Sequence, residues 1–252
     1  MSIYLGIDIG GSGVKGALVD TDSGELTSDR LRIATPNPAS VDAVLDVVSD
    51  IVTHFSWQGA VGCTFPGITV DGKILTAANV ADAWIGVNLE AAIAERVGVP
   101  ASVLNDADAA AIAEAVFGAA NGIAGTVLVL TFGTGIGSGM LRSGNLIPNL
   151  ELGQLEFRGM TAEAYAAARL VEREDMRIDW WASRVNEYLQ HVCDIFSPVR
   201  IVLGGGISRR FDEIAEFLDV SAEVVPAALL NNAGIVGAAY TASKMDRSEQ
   251  HV

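Results

Sequence analysis

The chain has 252 residues, with 16 Lys and Arg against 31 Asp and Glu, a net charge of −15, two cysteines and 27 glycines. Half of its residues are hydrophobic and 19% are charged, which excludes a disordered chain and allows a large core in one or two domains of about 150 residues. A pI near 4.4 argues against a nucleic-acid binder, whose affinity comes from Lys and Arg neutralising phosphates.

The opening "MSIYLGIDIGG" lacks a basic n-region and a cleavage site, and reads as a first strand over 3–9, not as a signal peptide. Runs at 3–9 and 16–20 flank "GGSGVK", which predicts a hairpin around a glycine turn. From Ser40 to Phe55, Val41, Val44, Leu45, Val48, Ile51 and Val52 fall at helical spacing with Ser40 as N-cap. A strand over 59–64, a Pro-Gly turn at 66–67, a helix over 88–97 and a strand over 101–104 follow. Strands first, then alternating helices and strands, point to an α/β sheet.

A second unit begins at Asp106 with "ADAAAIAEAVFGAA", then the strand "GTVLVLTF", the loop "GTGIGSG" and the short strand "MLRSG". Asp8–Leu18 aligns without gaps onto Thr131–Leu141 at an offset of 123 positions, so two duplicated halves are expected. Helices over 161–174 and 179–195 come next, then the strand "VRIVLGGGIS", a last helix seeded at "NNAGIVGAAYTAS" and a polar, frayed tail "KMDRSEQHV". The most apolar stretch, 109–132, is broken by Glu114, Asn121 and glycines and changes period, so no membrane span is expected. Cys63 and Cys193 are too few and too far apart for a disulfide framework, which suits reduced thiols in the cytoplasm.

Gly11, Gly13 and Gly16 fit G-x-G-x-x-G, but a short β-like "ALVD" follows where a dinucleotide fingerprint needs a helix. A P-loop fails because Gly16, not Ser or Thr, follows Lys15. Loops of Gly with Ser or Thr still let backbone N–H groups converge on an oxyanion. One such loop reads best as a tight turn; three, at Gly10–Gly13, Gly133–Gly135 and Gly204–Gly206, read as phosphate sites. Asn105 and Asp106 stand where a helix begins, and the local sequence favours a cap over a catalytic role.

The segments "LGIDIGGSGVKGALVD", "WQGAVGCTFPGITVDGKILTAANV", "AWIG", "VLNDADAAAIAEA", "GTVLVLTFGTGIGSGML", "IPNLELGQLEF", "VLGGGIS" and "VPAALLNNAGIVGAAY" resemble the superfamily of actin, hexokinase and the heat-shock ATPases. Within it they are similar to the ROK sugar kinases, and in that family to its polyphosphate glucokinases. The resemblance implies two similar ribonuclease H-like α/β domains around a central cleft, 1–105 and 106–252, with the last helix packing back on the first. It places Asp8 near metal and phosphates, Gly10, Gly11, Ser12, Gly13 and Lys15 in the first phosphate loop, and Thr131, Gly133, Thr134 and Gly135 in the second. Gly204, Gly205 and Gly206 correspond to the adenosine-side loop. Gly67, Asn79, Asn105, Asp106, Glu151 and Gln154 match sugar contacts, and Asp106 becomes the general base for a sugar 6-hydroxyl, which reverses the preference for a mere cap.

The resemblance also implies Mg2+ arriving with the donor, no protein-only metal site, polyphosphate or ATP as donor, glucose as acceptor, and a homodimer without nucleic-acid or membrane partners. The sequence departs from the family at Gln154, which stands where most ROK kinases have His, and it lacks their Cys-rich zinc cluster, so structural zinc is not expected. Gln can donate and accept to a hydroxyl but cannot ionise. Asp82 and Ala83 precede "WIG" where polyphosphate-type enzymes carry a basic residue, which weakens the polyphosphate donor. An ATP-dependent kinase for another hexose such as mannose, and a sugar sensor without activity, are the competing readings. A polyphosphate donor needs a local cationic strip against the acidic whole, and Arg142, Arg158, Arg169 and Arg173 are the candidates.

Overall fold

The structure is a computed structural model and describes residues 2–77 and 82–249. Strands β1 (Ile3–Ile9), β2 (Val14–Asp20), β3 (Glu25–Leu26) and β4 (Leu31–Ile33) precede helix α1 (Val41–His54) and strand β5 (Val61–Phe65). A small hairpin, β6 (Thr69–Val70) and β7 (Lys73–Ile74), leads to α2 (Leu89–Val97), β8 (Ala101–Asn105) and α3 (Asp106–Phe117). Then come β9 (Thr126–Phe132), β10 (Ile136–Arg142), β11 (Asn145–Ile147), β12 (Glu156–Phe157), β13 (Met160–Thr161), α4 (Ala162–Ala166), α5 (Arg169–Arg173) and α6 (Ile178–Phe196). The chain closes with β14 (Arg200–Gly205), α7 (Phe211–Ile214), β15 (Glu223–Pro226) and α8 (Ala233–Glu249).

These elements form two compact units, one of residues up to Ala113 together with the stretch from Asn232 onward, the other Glu114–Asn231. The division between the two units falls within α3, after Ala113. Helix α8 belongs to the first unit, where it packs on β1, β2, β5 and β8.

In the first unit the sheet order is β3-β2-β1-β5-β8, with β4 also on β2; β1, β5 and β8 run parallel and β2 antiparallel. One face receives α1, whose apolar spacing buries Val44, Leu45, Val47, Val48, Ile51 and Val52. Each such side chain stabilises the fold by about 1.5–3 kcal/mol when fully removed from water. Ser40 caps α1 by accepting the Ala43 N–H. The other face receives α8 at backbone contact: a methyl group on Gly62 would collide with the Ala238 carbonyl, and one on Gly6 with that of Ile235. This close approach sets the first turn of α8, at Gly234, beside the Asp8 carboxylate.

The second unit repeats the plan, with sheet order β11-β10-β9-β14-β15, β9, β14 and β15 parallel and β10 antiparallel. Its core gathers Leu128, Leu130 and Phe132 of β9 against Trp181, Val185, Tyr188, Leu189 and Val192 of α6. Glu114 is fully buried and accepts N–H groups of Ala119, Ala228 and Leu229, so a carboxylate at the end of α3 holds the returning segment.

The two units repeat the same hairpin, but not without a gap. Ile9 pairs with Val14, enclosing four residues, whereas Phe132 pairs with Ile136, enclosing three. The second turn is one residue shorter, so Val14 corresponds to Ile136, and the returning strands then share the same alternation of buried and half-buried positions. Gly137 and Gly139 consequently lie in β10, which begins at Ile136 and not at Met140: the ladder to β9 holds these glycines in the sheet. The helix expected over 161–174 is two short helices, because Ala167 adopts an extended conformation (ψ 146°). The tail read as frayed is helical to Glu249.

Both cysteines are buried and unbonded to each other, and burial pushes the Cys63 thiol far up. Among the described residues no helix is long and apolar enough to cross a membrane.

Candidate active site

Sheet register builds a polar row at the end of β1. Lys15 lies opposite Asp8 on β2, Thr64 opposite Asp8 on β5, and Arg32 opposite Lys15 on β4. Lys15 Nζ donates to Asp8 Oδ2 at 3.0 Å and Thr64 Oγ1 to Asp8 Oδ1 at 2.9 Å. The turn Gly10–Gly13 starts one residue beyond this strand, closed by the Gly10 N–H bonding the Gly13 carbonyl at 3.2 Å, with Gly11 and Ser12 exposed. Asp8, Lys15 and the loop glycines predicted from sequence thus come together. Thr64 and Arg32 were not singled out: Thr64 lies inside a matching segment without a role of its own, Arg32 lies in none, and strand pairing brings both in.

At the start of α3 the two neighbours divide the work. Asn105 is buried; its Oδ1 accepts the N–H groups of Ala107 (2.8 Å) and Asp108 (3.1 Å), and its Nδ2 donates to the Gly67 carbonyl at 3.2 Å. Asn105 is therefore the cap, and it ties the Pro66-Gly67 turn to the helix. That leaves one amide N–H for a sugar hydroxyl. Asp106 is exposed in the first helical turn, with Oδ1 near the Ala107 N–H at 2.8 Å. Asn79 lies outside the described residues.

In the second unit Thr131 stands where Asp8 stands in the first, flanked by Gly137 on β10 and Gly204 on β14. Gly133 N–H bonds the Gly135 carbonyl at 3.0 Å, and the Arg169 N–H bonds the Gly133 carbonyl at 3.1 Å. A pocket of about 340 Å3 opens here, lined by Gly133, Thr134, Arg169, Gly206, Ile207 and Arg210 among others. The second glycine loop and the triple-glycine turn therefore share one cavity, lined on its apolar side by Phe132, Val171 and Ile207 and also by Arg169. The Arg169 Nε is buried without a hydrogen-bond partner, an arrangement that an incoming anionic oxygen would satisfy. Arg210 is already paired with Glu213 through two hydrogen bonds of 2.8 and 2.7 Å.

Glu151 and Gln154 frame a single helical turn, Leu152–Gln154, in which the Gln154 N–H bonds the Glu151 carbonyl at 3.0 Å. Gly153 presses on the Ile136 backbone, where any side chain would collide, and Ser138 Oγ bridges the Leu150 carbonyl and the Leu152 N–H. The turn is thereby fixed against the strand leaving the second loop. Glu151 is half-buried; burial first, and the nearby Glu163 carboxylate second, raise its pKa. Glu163, another residue that sequence reading passed over, lies over Gly135. Gln154 and Glu156 are exposed.

Of the arginines put forward for a cationic strip, only Arg169 lines this pocket. Arg142 donates to Thr126 Oγ1 at 3.2 Å, Arg158 pairs with Glu187 at 2.9 Å, and Arg173 with Glu174 at 2.7 Å. Among the described residues no group of three or more His, Cys, Asp or Glu is arranged to hold a metal ion. Asp8 offers one hard-oxygen carboxylate beside the first loop, which fits a Mg2+ that rests mainly on donor phosphates and water.

Residues 4–150 match the ROK family. The chain is 46% identical to polyphosphate glucokinase of Mycobacterium tuberculosis over 236 residues, 93% of this chain and 89% of that protein. The crystal structure of an inorganic polyphosphate/ATP-glucomannokinase from Arthrobacter sp. strain KM superposes with a TM-score of 0.93 at 43% identity, over 97% of this chain and 100% of that one. A ROK family glucokinase from Streptomyces griseus, solved with glucose and AMPPNP, gives a TM-score of 0.82 at 24% identity over 96% of this chain and 100% of that one, a likeness of fold.

Proposed function

Because the chain belongs to the ROK family, we propose that it is a glucokinase transferring the terminal phosphoryl group of polyphosphate or ATP to the 6-hydroxyl of glucose. The observation that carries the assignment of roles is the division at the start of α3. Asn105 holds the Asp108 N–H and the Gly67 carbonyl, and Asp106 is exposed in the first turn of α3, where its Oδ1 shares the Ala107 N–H with Asn105. Asp106 accepts the proton of the 6-hydroxyl as that oxygen attacks the terminal phosphorus. A new P–O bond forms, the bond to the bridging oxygen breaks, and ADP or a shortened polyphosphate leaves with the electron pair.

Lys15, held by Asp8, and the backbone N–H groups of Gly10–Gly13 meet the charge on the moving group. Asp8 would hold a Mg2+ arriving with the donor, and that ion would supply neutralisation of phosphate charge. The loops at Gly133–Gly135 and Gly204–Gly206 hold the rest of the donor, and Arg169 supplies their cation. Glu151, Gln154 and Gly67 contribute to sugar recognition, Gly67 through the turn that Asn105 anchors. The buried, unpaired thiols suit the reducing cytoplasm.

The test is product formation with glucose and mannose in parallel, each with ATP and with polyphosphate. Glucose 6-phosphate is the expected product. Asp106→Asn should lower kcat by about 10²–10⁴-fold with the melting temperature retained. Near-wild-type turnover in that variant would remove Asp106 from the base role.

A further inference from the structure

We infer that Arg32 is a donor-binding residue that takes a phosphate oxygen of the phosphoryl donor at the Gly10–Gly13 turn. The inference rests on the kinase reading above and deepens it, since it concerns how an acidic protein gathers positive charge at its first phosphate loop.

The placement follows from register. Strand β4 pairs with β2 so that Val14 meets Ile33, Lys15 meets Arg32 and Gly16 meets Leu31. Arg32 thus extends the row Thr64–Asp8–Lys15 by one strand, on the face that carries the Lys15–Asp8 pair. Its Nη2 donates to the Ser12 carbonyl at 2.8 Å. Nε, Cζ and Nη2 all lie against the Gly13 Cα, in the space a side chain would take, so the guanidinium rests on the turn itself. This contact fixes its direction without using its charge.

Charge bookkeeping points the same way. Lys15 is matched by Asp8, whereas Arg32 bonds a neutral carbonyl and, among the described residues, pairs with no carboxylate. Two cations directly opposite one another destabilise a sheet. An oxyanion at the turn removes that cost. A guanidinium has five N–H donors in a planar fork, and one bond to Ser12 leaves a forked edge for phosphate oxygens. The side chain is exposed and open to a ligand from solution. In a chain of net charge −15, a compact cluster of Lys15, Arg32 and turn N–H groups is where a polyanion can be drawn in locally.

The competing possibility is that Arg32 only clamps the turn. Calorimetric titration of the full-length protein with inorganic tripolyphosphate separates the two. Arg32→Gln should weaken tripolyphosphate binding by about tenfold or more and flatten its salt dependence, with glucose affinity unchanged and the lysine variant Arg32→Lys in between. Gly13→Ala supplies a second route, because its methyl group displaces the guanidinium while Arg32 remains in the chain. It should reproduce the loss. Tripolyphosphate affinity within twofold of wild type in Arg32→Gln or Gly13→Ala would overturn the inference, a lowered melting temperature then marking a clamp. Wild-type protein that phosphorylates neither glucose nor mannose would instead overturn the kinase reading.

Discussion

The two sheets share strand order and strand direction, yet the rows at the ends of their first strands are chemically opposite. In the first unit the row reads Arg32, Lys15, Asp8, Thr64, with two side-chain hydrogen bonds inside it. In the second the equivalent row is Gly137, Thr131, Gly204, nearly bare of side chains. The same backbone thus serves as a charged platform in one copy and as an open wall with a pocket of about 340 Å3 in the other. The hairpin is common to both units; the difference lies in the side chains it carries. Fixed charge is useful where charge moves during reaction, and bare backbone where a bulky donor must approach closely.

That contrast is broken most severely at Asp8. Asp8→Asn removes the partner of Lys15 and the carboxylate nearest the first turn, and kcat should fall on the order of 100-fold or more. Thr131→Val, the corresponding change in the second row, should cost roughly tenfold or less, because no ion pair is lost. Steady-state kinetics of both variants with saturating glucose decide it. Equal losses would show that the two rows carry equal weight.

A smaller effect is expected on the bare side. Arg169 holds its backbone N–H on the Gly133 carbonyl whatever its side chain, so Arg169→Gln should leave the loop in place and remove only the guanidinium. The donor KM should rise by about tenfold with kcat little changed. A change in kcat without a change in donor KM would place Arg169 with the reacting atoms and erase the distinction between the two rows.

How far the sequence carries depended on whether an interaction is local. The helix face of α1 and the glycine turns after β1 and β9 are written in short spacings and form where expected, whereas Lys15, Gly137 and Gly139 lie in strands and not in the loops. The turn lengths were not legible, because sequence similarity aligns glycine with glycine while only strand register shows that the second turn is one residue shorter. Thr64, Arg32 and Glu163 were not singled out for the same reason: each reaches its site by pairing or packing across the fold and not through a local spacing. Local reading also assigned Asn105 and Asp106 alike to capping or chemistry. Only the bonds to Asp108 and Gly67 separate the cap from its neighbour, since both side chains accept the Ala107 N–H.

The mildest test concerns Glu151, whose carboxyl group feels that of Glu163, the residue lying over Gly135 of the second loop. Its pKa is raised by burial first and by Glu163 second, so the folded protein holds its proton more tightly than the unfolded chain. Stability from this group is fully present below the ordinary glutamate pKa and is lost as pH rises through the raised value. Glu151→Gln should therefore flatten the decline in melting temperature across that window. Glu163→Gln should shift the decline to lower pH without abolishing it, since burial, the larger cause, remains. Thermal melts of the three proteins between about pH 4 and pH 7 read this directly. If Glu163→Gln removes the decline completely, the paired carboxylates and not burial control Glu151, and the second loop carries a charge interaction that the comparison of rows assigns only to the first.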